Sequence, residues 1–174
     1  MEQVIFETPW IKVKRTPRGF DFLERKGRDS VAIALVRINA KGEDEVLIRY
    51  QPLCVHNVDI DDEQHLYPCL ITGGMEDGEH PADCAIREIE EETGYKVNYK
   101  DLIWLTTYIV GTQTNESVYL YFVDVTNHQP KEAKQDGSYF ESVSKNNWES
   151  FDALKRCEYV ACKLAYFLIK DRQS

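Results

Sequence analysis

Acidic side chains are concentrated in residues 73–95, and their spacing there is that of a helix. Glu88, Glu91 and Glu92 stand at positions i, i+3 and i+4, so a helix places their carboxylates on one face. Oxygen ligands at this density suit Mg²⁺ or Mn²⁺, which prefer carboxylates, carbonyls and water. The alternative is a solvated acidic helix face, and helical spacing of acids alone does not separate the two.

The local sequence predicts where this helix begins and ends. Pro81 suits a first helical turn, where a missing N–H costs nothing, and Asp83 complements the positive N-terminal end. Gly94 follows Thr93 at the place where a left-handed cap ends a helix. Because the helix dipole and mutual repulsion both disfavour several carboxylates near the C-terminal end, we expect a positive group beside them.

The complete segment resembles the signature of the Nudix hydrolases. A glycine, five residues, a glutamate, seven residues and then Arg-Glu-Ile-x-Glu-Glu-x-Gly reproduce that signature; its fixed residues here are Gly73, Glu79, Arg87, Glu88, Glu91, Glu92 and Gly94. With roughly one chance in ten at each fixed position, a fortuitous match is on the order of 10⁻⁵ even after every frame is scanned. The resemblance is therefore specific.

The resemblance implies a set of metal ligands, because the family uses this loop and helix to hold metal ions on the substrate diphosphate. By resemblance, Glu88 and Glu92 are metal ligands, and Glu91 is a further ligand or the base that activates water. The carbonyl of Thr72 or Gly73 is the implied backbone ligand. The implied cofactor is Mg²⁺ or Mn²⁺, and the implied reaction is attack of water on one phosphorus.

The resemblance also implies which residues shape the site. Arg87 and Glu79 are the residues that orient the helix and the loop, and Arg87 lies four residues before Glu91, within pairing distance on a helix. Arg49, at the end of a predicted strand, is a candidate substrate contact. Gly94 is a structural residue at the helix end.

Outside this signature the chain resembles the ADP-ribose pyrophosphatase branch of the family. The strands at 10–24, followed by Ser30–Ile38 and Glu45–Arg49, match that branch's layout, in which the N-terminal unit often reaches across a dimer. The loop at 111–116 resembles the one that supplies a late catalytic glutamate. Glu116 is thus a candidate general base or extra metal ligand, and the alternative is an exposed loop acid.

The branch resemblance is incomplete, so several functions stay open. Cys69 to Thr72, Val110 and Tyr50 to Pro52 all depart from the sequences common in that branch. Loops around a scaffold set substrate choice, so these departures leave the substrate open. ADP-ribose or a nucleotide sugar is the favoured substrate, and a dinucleoside polyphosphate is the alternative. The rival from another class is a nucleotide-binding regulatory module without catalysis, which has no need of the complete glutamate set.

The remaining elements predict an α/β fold of the α+β kind: a Nudix-type mixed sheet sandwiched between helices, with a small N-terminal antiparallel strand unit. The predicted strands are 10–15, 20–24, 30–38, 45–50, a short strand at 70–71 that leads into Gly73 and Gly74, 101–110 and 117–125. The predicted helices are 81–93 and a helix or pair at 148–170. We expect residues 1–28 to form the N-terminal unit and 29–174 the hydrolase domain. An isolated hairpin is marginally stable, so this unit should pair with the domain or form a homodimer.

Composition limits the partners. The formal net charge of −9 opposes attraction to a nucleic-acid backbone, so long nucleic acid is disfavoured and a small nucleotide diphosphate is expected. No apolar run approaches the ~20 residues of a membrane span, and the N-terminus lacks the pattern of a signal peptide, so we expect a cytoplasmic protein. Trp104, Tyr108 and Tyr119 could stack on a base, although core packing is the expected role.

Overall fold

A computed structural model describes residues 1–53, 66–133 and 142–173. The strands are β1 Gln3–Glu7, β2 Ile11–Arg15, β3 Asp21–Arg25, β4 Ser30–Ile38, β5 Asp44–Pro52, β6 Leu66–Cys69, β7 Ile71–Gly74, β8 Ile103–Ile109, β9 Ser117–Asp124 and β10 Lys145–Ser150. The helices are α1 Pro81–Thr93, α2 Ala153–Arg156 and α3 Val160–Gln173, and one 3₁₀ turn, Tyr99–Asp101, precedes β8. The bounds of β4 and α1 are those that the sequence predicts.

The strands form two sheets. Strands β1, β2 and β3 make a small antiparallel sheet in that order. The larger sheet has seven strands in the order β10-β5-β4-β9-β8, with β6 paired to β5 and β7 paired to β4. Strand β4 runs parallel to β9 and antiparallel to β5 and β7, so the sheet is mixed. This confirms the predicted α+β class with a separate antiparallel unit.

Strand β4 separates two layers of the core. Val31, Ile33 and Leu35 belong to the apolar layer that packs against α1. The alternate residues, including Ala32 and Ala34, belong to the layer under α2 and α3. Successive side chains of a strand point to opposite faces, so a continuous apolar run is what two covered faces require. The sheet therefore holds α1 on one side and the C-terminal helices on the other.

The structure corrects two predictions about tryptophans. Trp148 does not begin a helix; it lies in β10 opposite Leu47, with the Arg37 guanidinium 4.1 Å from its ring centre. A short apolar run fits the period of a helix as well as that of a strand, and this segment is a strand because it pairs with the edge of β5. Trp104 does not pack in the core either, because β8 is the outer strand and this side chain is 55% exposed. Tyr108 and Tyr119 do pack against the core.

Other expectations meet the structure only in part. Strand β5 reaches Pro52 and β6 begins at Leu66, and residues 54–65 between them lie outside the described ones. The division of the chain at residue 28 stays a prediction. No helix within the described ranges has the length and apolarity that crossing a membrane requires.

Candidate metal and catalytic site

Helix α1 is fixed at both ends, which sets the positions of its glutamates. At the start, Nδ1 of His80 accepts a hydrogen bond from the Ala82 amide at 3.2 Å. At the end, Gly94 adopts φ 73° and its amide donates to the Glu90 carbonyl at 3.0 Å. A Cβ on Gly94 would lie 1.9 Å from the Lys131 carbonyl oxygen, so glycine is required there for space as well as for conformation.

Arg87 joins the loop to the helix. Its Nε and Nη2 donate to the two carboxylate oxygens of Glu79 at 3.0 and 3.1 Å. Its Nη1 donates to Glu88 at 2.7 Å and to Glu91 at 3.2 Å, and Nη2 also reaches the Gly74 carbonyl at 3.2 Å. The hydrogen bond from Arg87 lowers the pKa of Glu79. A paired, forked arginine of this kind fixes direction as well as distance, which fits the orienting roles predicted for both residues.

Glu88 lies directly against the backbone of Gly73. A Cβ on Gly73 would meet the Glu88 Cδ at 1.9 Å and Oε1 at 2.0 Å, so only glycine leaves room for this carboxylate. The Glu88 side chain is 12% exposed. Burial raises the pKa of Glu88 to about 7, because the loss of water outweighs the opposing effect of Arg87. Strand β7 thus brings the backbone of Gly73 against a carboxylate whose charged form is disfavoured by burial.

Glu92 is held by the sheet. Arg49 in β5 pairs with it, Nε to Oε1 at 3.2 Å, and the two side chains are only 7% and 9% exposed. Asn146 in β10 completes the contact: its Oδ1 accepts from Arg49 at 3.4 Å and its Nδ2 donates to the Glu92 carbonyl at 2.8 Å. Sequence reasoning missed Asn146, for which no local signal exists. The substrate contact proposed for Arg49 stays a prediction; in the structure its guanidinium contacts Glu92, Asn146 and Gln51.

Glu91 differs from its two neighbours in its surroundings. Its side chain is 40% exposed and pairs with Arg87 at 3.2 Å. An exposed carboxylate beside two buried ones can reach a water or a substrate oxygen that the buried ones cannot. This placement is compatible with both predicted roles of Glu91, a further ligand or a base.

The donor set fits a hard divalent cation, although it is not preassembled as a cage. Among residues 1–53, 66–133 and 142–173, no group of three or more acidic, histidine or cysteine side chains already surrounds one point. Arginines hold the carboxylates instead: Arg87 holds Glu88 and Glu91, and Arg49 holds Glu92. Mg²⁺ usually takes one or two carboxylates together with substrate phosphates rather than an all-protein cage. The buried carboxylate of Glu88 against Gly73 matches that requirement.

Glu116 lies at the end of the 111–116 loop, next to the N-terminal sheet. Its Oε1 accepts from Ser30 Oγ at 2.6 Å and from Arg25 Nη1 at 2.9 Å. The side chain is 14% exposed and paired, so Glu116 is not an exposed acid, and its role as a base or metal ligand stays a prediction. Sequence reasoning missed Arg25 and Ser30, because their contacts with Glu116 span 91 and 86 residues of chain.

Comparisons with known proteins agree with this geometry. A family model described as the NUDIX domain matches residues 28–166. The ADP-sugar pyrophosphatase of Mus musculus is 28% identical over 170 residues, which cover 82% of this chain and 70% of that protein. The crystal structure of an ADP compounds hydrolase superposes with a TM-score of 0.64 at 15% identity, covering 98% of this chain and 90% of that one. The structural likeness concerns the fold alone.

Proposed function

Because the chain belongs to the Nudix family, we propose that it is a pyrophosphohydrolase that cleaves the diphosphate linkage of an ADP-sugar with the help of Mg²⁺ or Mn²⁺. ADP-ribose and related nucleotide sugars are the first substrates to test. One observation carries the proposal. Arg87 ties Glu79 in the loop to Glu88 and Glu91 in the helix, and Arg49 holds the fourth glutamate, Glu92, from the sheet.

Glu88 and Glu92 are the residues that we propose to hold the metal, with Glu91 as a further ligand. The carbonyl of Gly73 or Thr72 would add a backbone oxygen, since Glu88 already lies against Gly73. When bound, a divalent metal neutralises charge on the diphosphate oxygens and lowers the pKa of a water molecule. On metal binding, the arginines now paired with these glutamates would give up part of those contacts, and the cation would supply the positive charge in their place.

Glu116 is the residue that we propose to remove the proton from the attacking water, with Glu91 as the alternative base. A base must approach that water within hydrogen-bond distance, directly or through one further water. If Glu116 is the base, Glu116→Gln lowers kcat sharply while KM and metal affinity barely change. If it is a metal ligand, a higher concentration of Mg²⁺ or Mn²⁺ restores part of the activity. Normal activity at every metal concentration would assign the base to Glu91 or a neighbour.

The ADP-sugar preference rests on similarity to a relative that is named an ADP-sugar pyrophosphatase. The test is a hydrolysis screen over ADP-ribose, other nucleotide sugars, dinucleoside polyphosphates and nucleoside triphosphates, each with Mg²⁺ and with Mn²⁺. The highest kcat/KM should fall on an ADP-sugar. A clear preference for dinucleoside polyphosphates would move the assignment, and nucleotide binding without turnover would make the chain a regulatory module.

We also propose that the chain acts as a homodimer through the N-terminal sheet. Five large apolar side chains there are between 46% and 70% exposed in the single chain: Val4, Ile5, Phe6, Trp10 and Phe20. A concentrated group of exposed apolar side chains is typical of an interface. A second copy is the simplest cover, because twofold pairing is the commonest form of association.

A further inference from the structure

We propose that Arg25, which belongs to the N-terminal sheet, is the positioning residue that fixes Glu116 relative to the metal-binding segment. The inference rests on the proposed function, in which Glu116 acts as base or metal ligand. It gives the N-terminal sheet a part in catalysis within the same chain, separate from any role in dimer formation.

The first support is the docking of β3 on the 111–116 loop. The Leu23 amide donates to the Gln113 carbonyl at 2.8 Å, and the Asn115 amide donates to the Leu23 carbonyl at 3.4 Å. These two bonds form a parallel bridge between Leu23 and Thr114. The Asn115 side chain also donates to Glu24 at 2.8 Å. The loop therefore takes its backbone position from β3, two residues before Arg25.

The second support is the way in which Glu116 is held. Arg25 Nη1 and Ser30 Oγ both donate to the same carboxylate oxygen, Oε1, at 2.9 and 2.6 Å. Within the described part of the chain, no residue donates a hydrogen bond to the other oxygen, Oε2. One oxygen is thus anchored by a charge-assisted bond, and the other is available for a proton or a cation. An anchored carboxylate with one available oxygen is what a positioned base or ligand requires.

The third support is the contact of Arg25 with the entry to the metal-binding segment. A Cβ on Gly74 would lie 3.0 Å from Arg25 Nη2, so the guanidinium packs on this glycine. The Gly74 carbonyl in turn accepts from Arg87 Nη2 at 3.2 Å. One guanidinium therefore touches both Glu116 and the end of β7, and a short chain of contacts leads from Glu116 through Gly74 to Arg87. These contacts connect Glu116 to the loop and helix that carry the glutamates of α1.

A purely stabilising ion pair is the competing explanation for the Arg25 contact. Arg15 and Asp21 form such a pair in the same sheet, at 2.6 Å and with side chains 49% and 43% exposed. Exposed pairs of this kind contribute little to folding. Arg15→Ala is therefore the matched control: it removes an arginine and an ion pair from the N-terminal sheet and leaves the loop contacts in place.

The experiment compares Arg25→Ala with Arg15→Ala, each in the wild-type chain and in the Glu116→Gln background, using the ADP-sugar turned over best. Arg25→Ala should lower kcat at least tenfold with KM within about twofold, and Arg15→Ala should leave both unchanged. In the Glu116→Gln background, Arg25→Ala should cost less than a further twofold, since its effect passes through Glu116. An equal loss in both backgrounds, or a loss confined to KM, would overturn the proposal.

A second measurement does not depend on turnover. Hydrogen exchange followed by mass spectrometry should show faster exchange in the peptide spanning 113–117 for Arg25→Ala, with no change for Arg15→Ala. Unchanged exchange would refute the positioning role even if no substrate were found. If the wild-type chain cleaves an ADP-sugar and Arg25→Ala is fully active, the proposed function stands and this inference alone fails.

Discussion

Replacing Glu88 by glutamine should stabilise the metal-free protein, and the gain should grow with pH. Burial raises the pKa of Glu88 to about 7, whereas the ordinary value is 4.5. Below pH 4.5 the carboxyl group is protonated in both the folded and the unfolded chain, so ionisation costs nothing. As the pH rises from 4.5 to about 7, Glu88 ionises in the unfolded chain but not yet in the folded one, so the free energy of unfolding falls. Above pH 7 the whole penalty is present.

The penalty is large enough to measure. A tenfold change in an acidity constant corresponds to about 1.4 kcal/mol, so a pKa of about 7 in place of 4.5 amounts to about 3 kcal/mol above pH 7. At pH 5 the penalty is below about 1 kcal/mol by the same relation. For a chain of this size, 1 kcal/mol moves the melting temperature by about 2–4 °C. The variant should therefore gain about 5 °C or more on the wild type between pH 5 and pH 8.

The assay is thermal unfolding in EDTA at several pH values between 5 and 8. Glu90→Gln is the control, because it removes the same charge from the same helix at a residue that pairs with Lys96. The difference between Glu88→Gln and wild type should widen in favour of the variant as the pH rises, whereas Glu90→Gln, which breaks an ion pair, should not gain stability over wild type. Parallel pH curves for Glu88→Gln and wild type would refute a buried, destabilising carboxylate.

Three further predictions follow from single contacts. Glu92→Gln should lower kcat/KM at least about a hundredfold, or ~2.7 kcal/mol. It should also lower the unfolding free energy of the metal-free protein by about 1–3 kcal/mol, because Arg49 loses its buried charged partner. Activity within threefold of wild type would remove Glu92 from the ligand set. Gly94→Ala should lower the unfolding free energy by more than Gly42→Ala does in denaturant titrations. Both glycines have positive φ, but only at residue 94 would the added Cβ lie 1.9 Å from a carbonyl oxygen, that of Lys131. Equal losses would show that the contact relaxes freely. Sedimentation at tens of micromolar should show a dimer, and a monomer at that concentration would contradict pairing through the N-terminal sheet.

Local signals explain which parts of the fold are predictable. The bounds of α1 follow from Pro81 and Gly94, and the structure uses both as expected. Strand β4 is recognisable because both of its faces are covered. By contrast, β1 carries no clear alternation and its residues are exposed, so the sequence does not single it out. The helix predicted from Trp148 was wrong at its start because the apolar residues there fit helical spacing, and only the pairing of β10 with β5 shows that this segment is a strand.

The candidate site divides in the same way. The convergence of Glu88, Glu91 and Glu92 follows from helical periodicity, as does the pairing of Arg87 with Glu91. The partners supplied by the sheets do not follow from any local pattern. Arg49 reaches Glu92 and Arg25 reaches Glu116 only because the topology brings distant strands to one place. The positive charge that the crowded carboxylates require is therefore supplied by arginines: periodicity identifies Arg87, and only the topology identifies Arg49.

The most direct test of the proposed reaction is hydrolysis of ADP-ribose in H₂¹⁸O with Mg²⁺, followed by mass spectrometry of both products. Attack of water on one phosphorus predicts AMP and a sugar phosphate, with a single ¹⁸O atom on the phosphate of one of them. Glu92→Gln should yield neither product at a comparable rate. Label on a sugar carbon, or no phosphate ester products from any ADP-sugar with Mg²⁺ or Mn²⁺, would contradict the assignment of diphosphate hydrolysis to this chain.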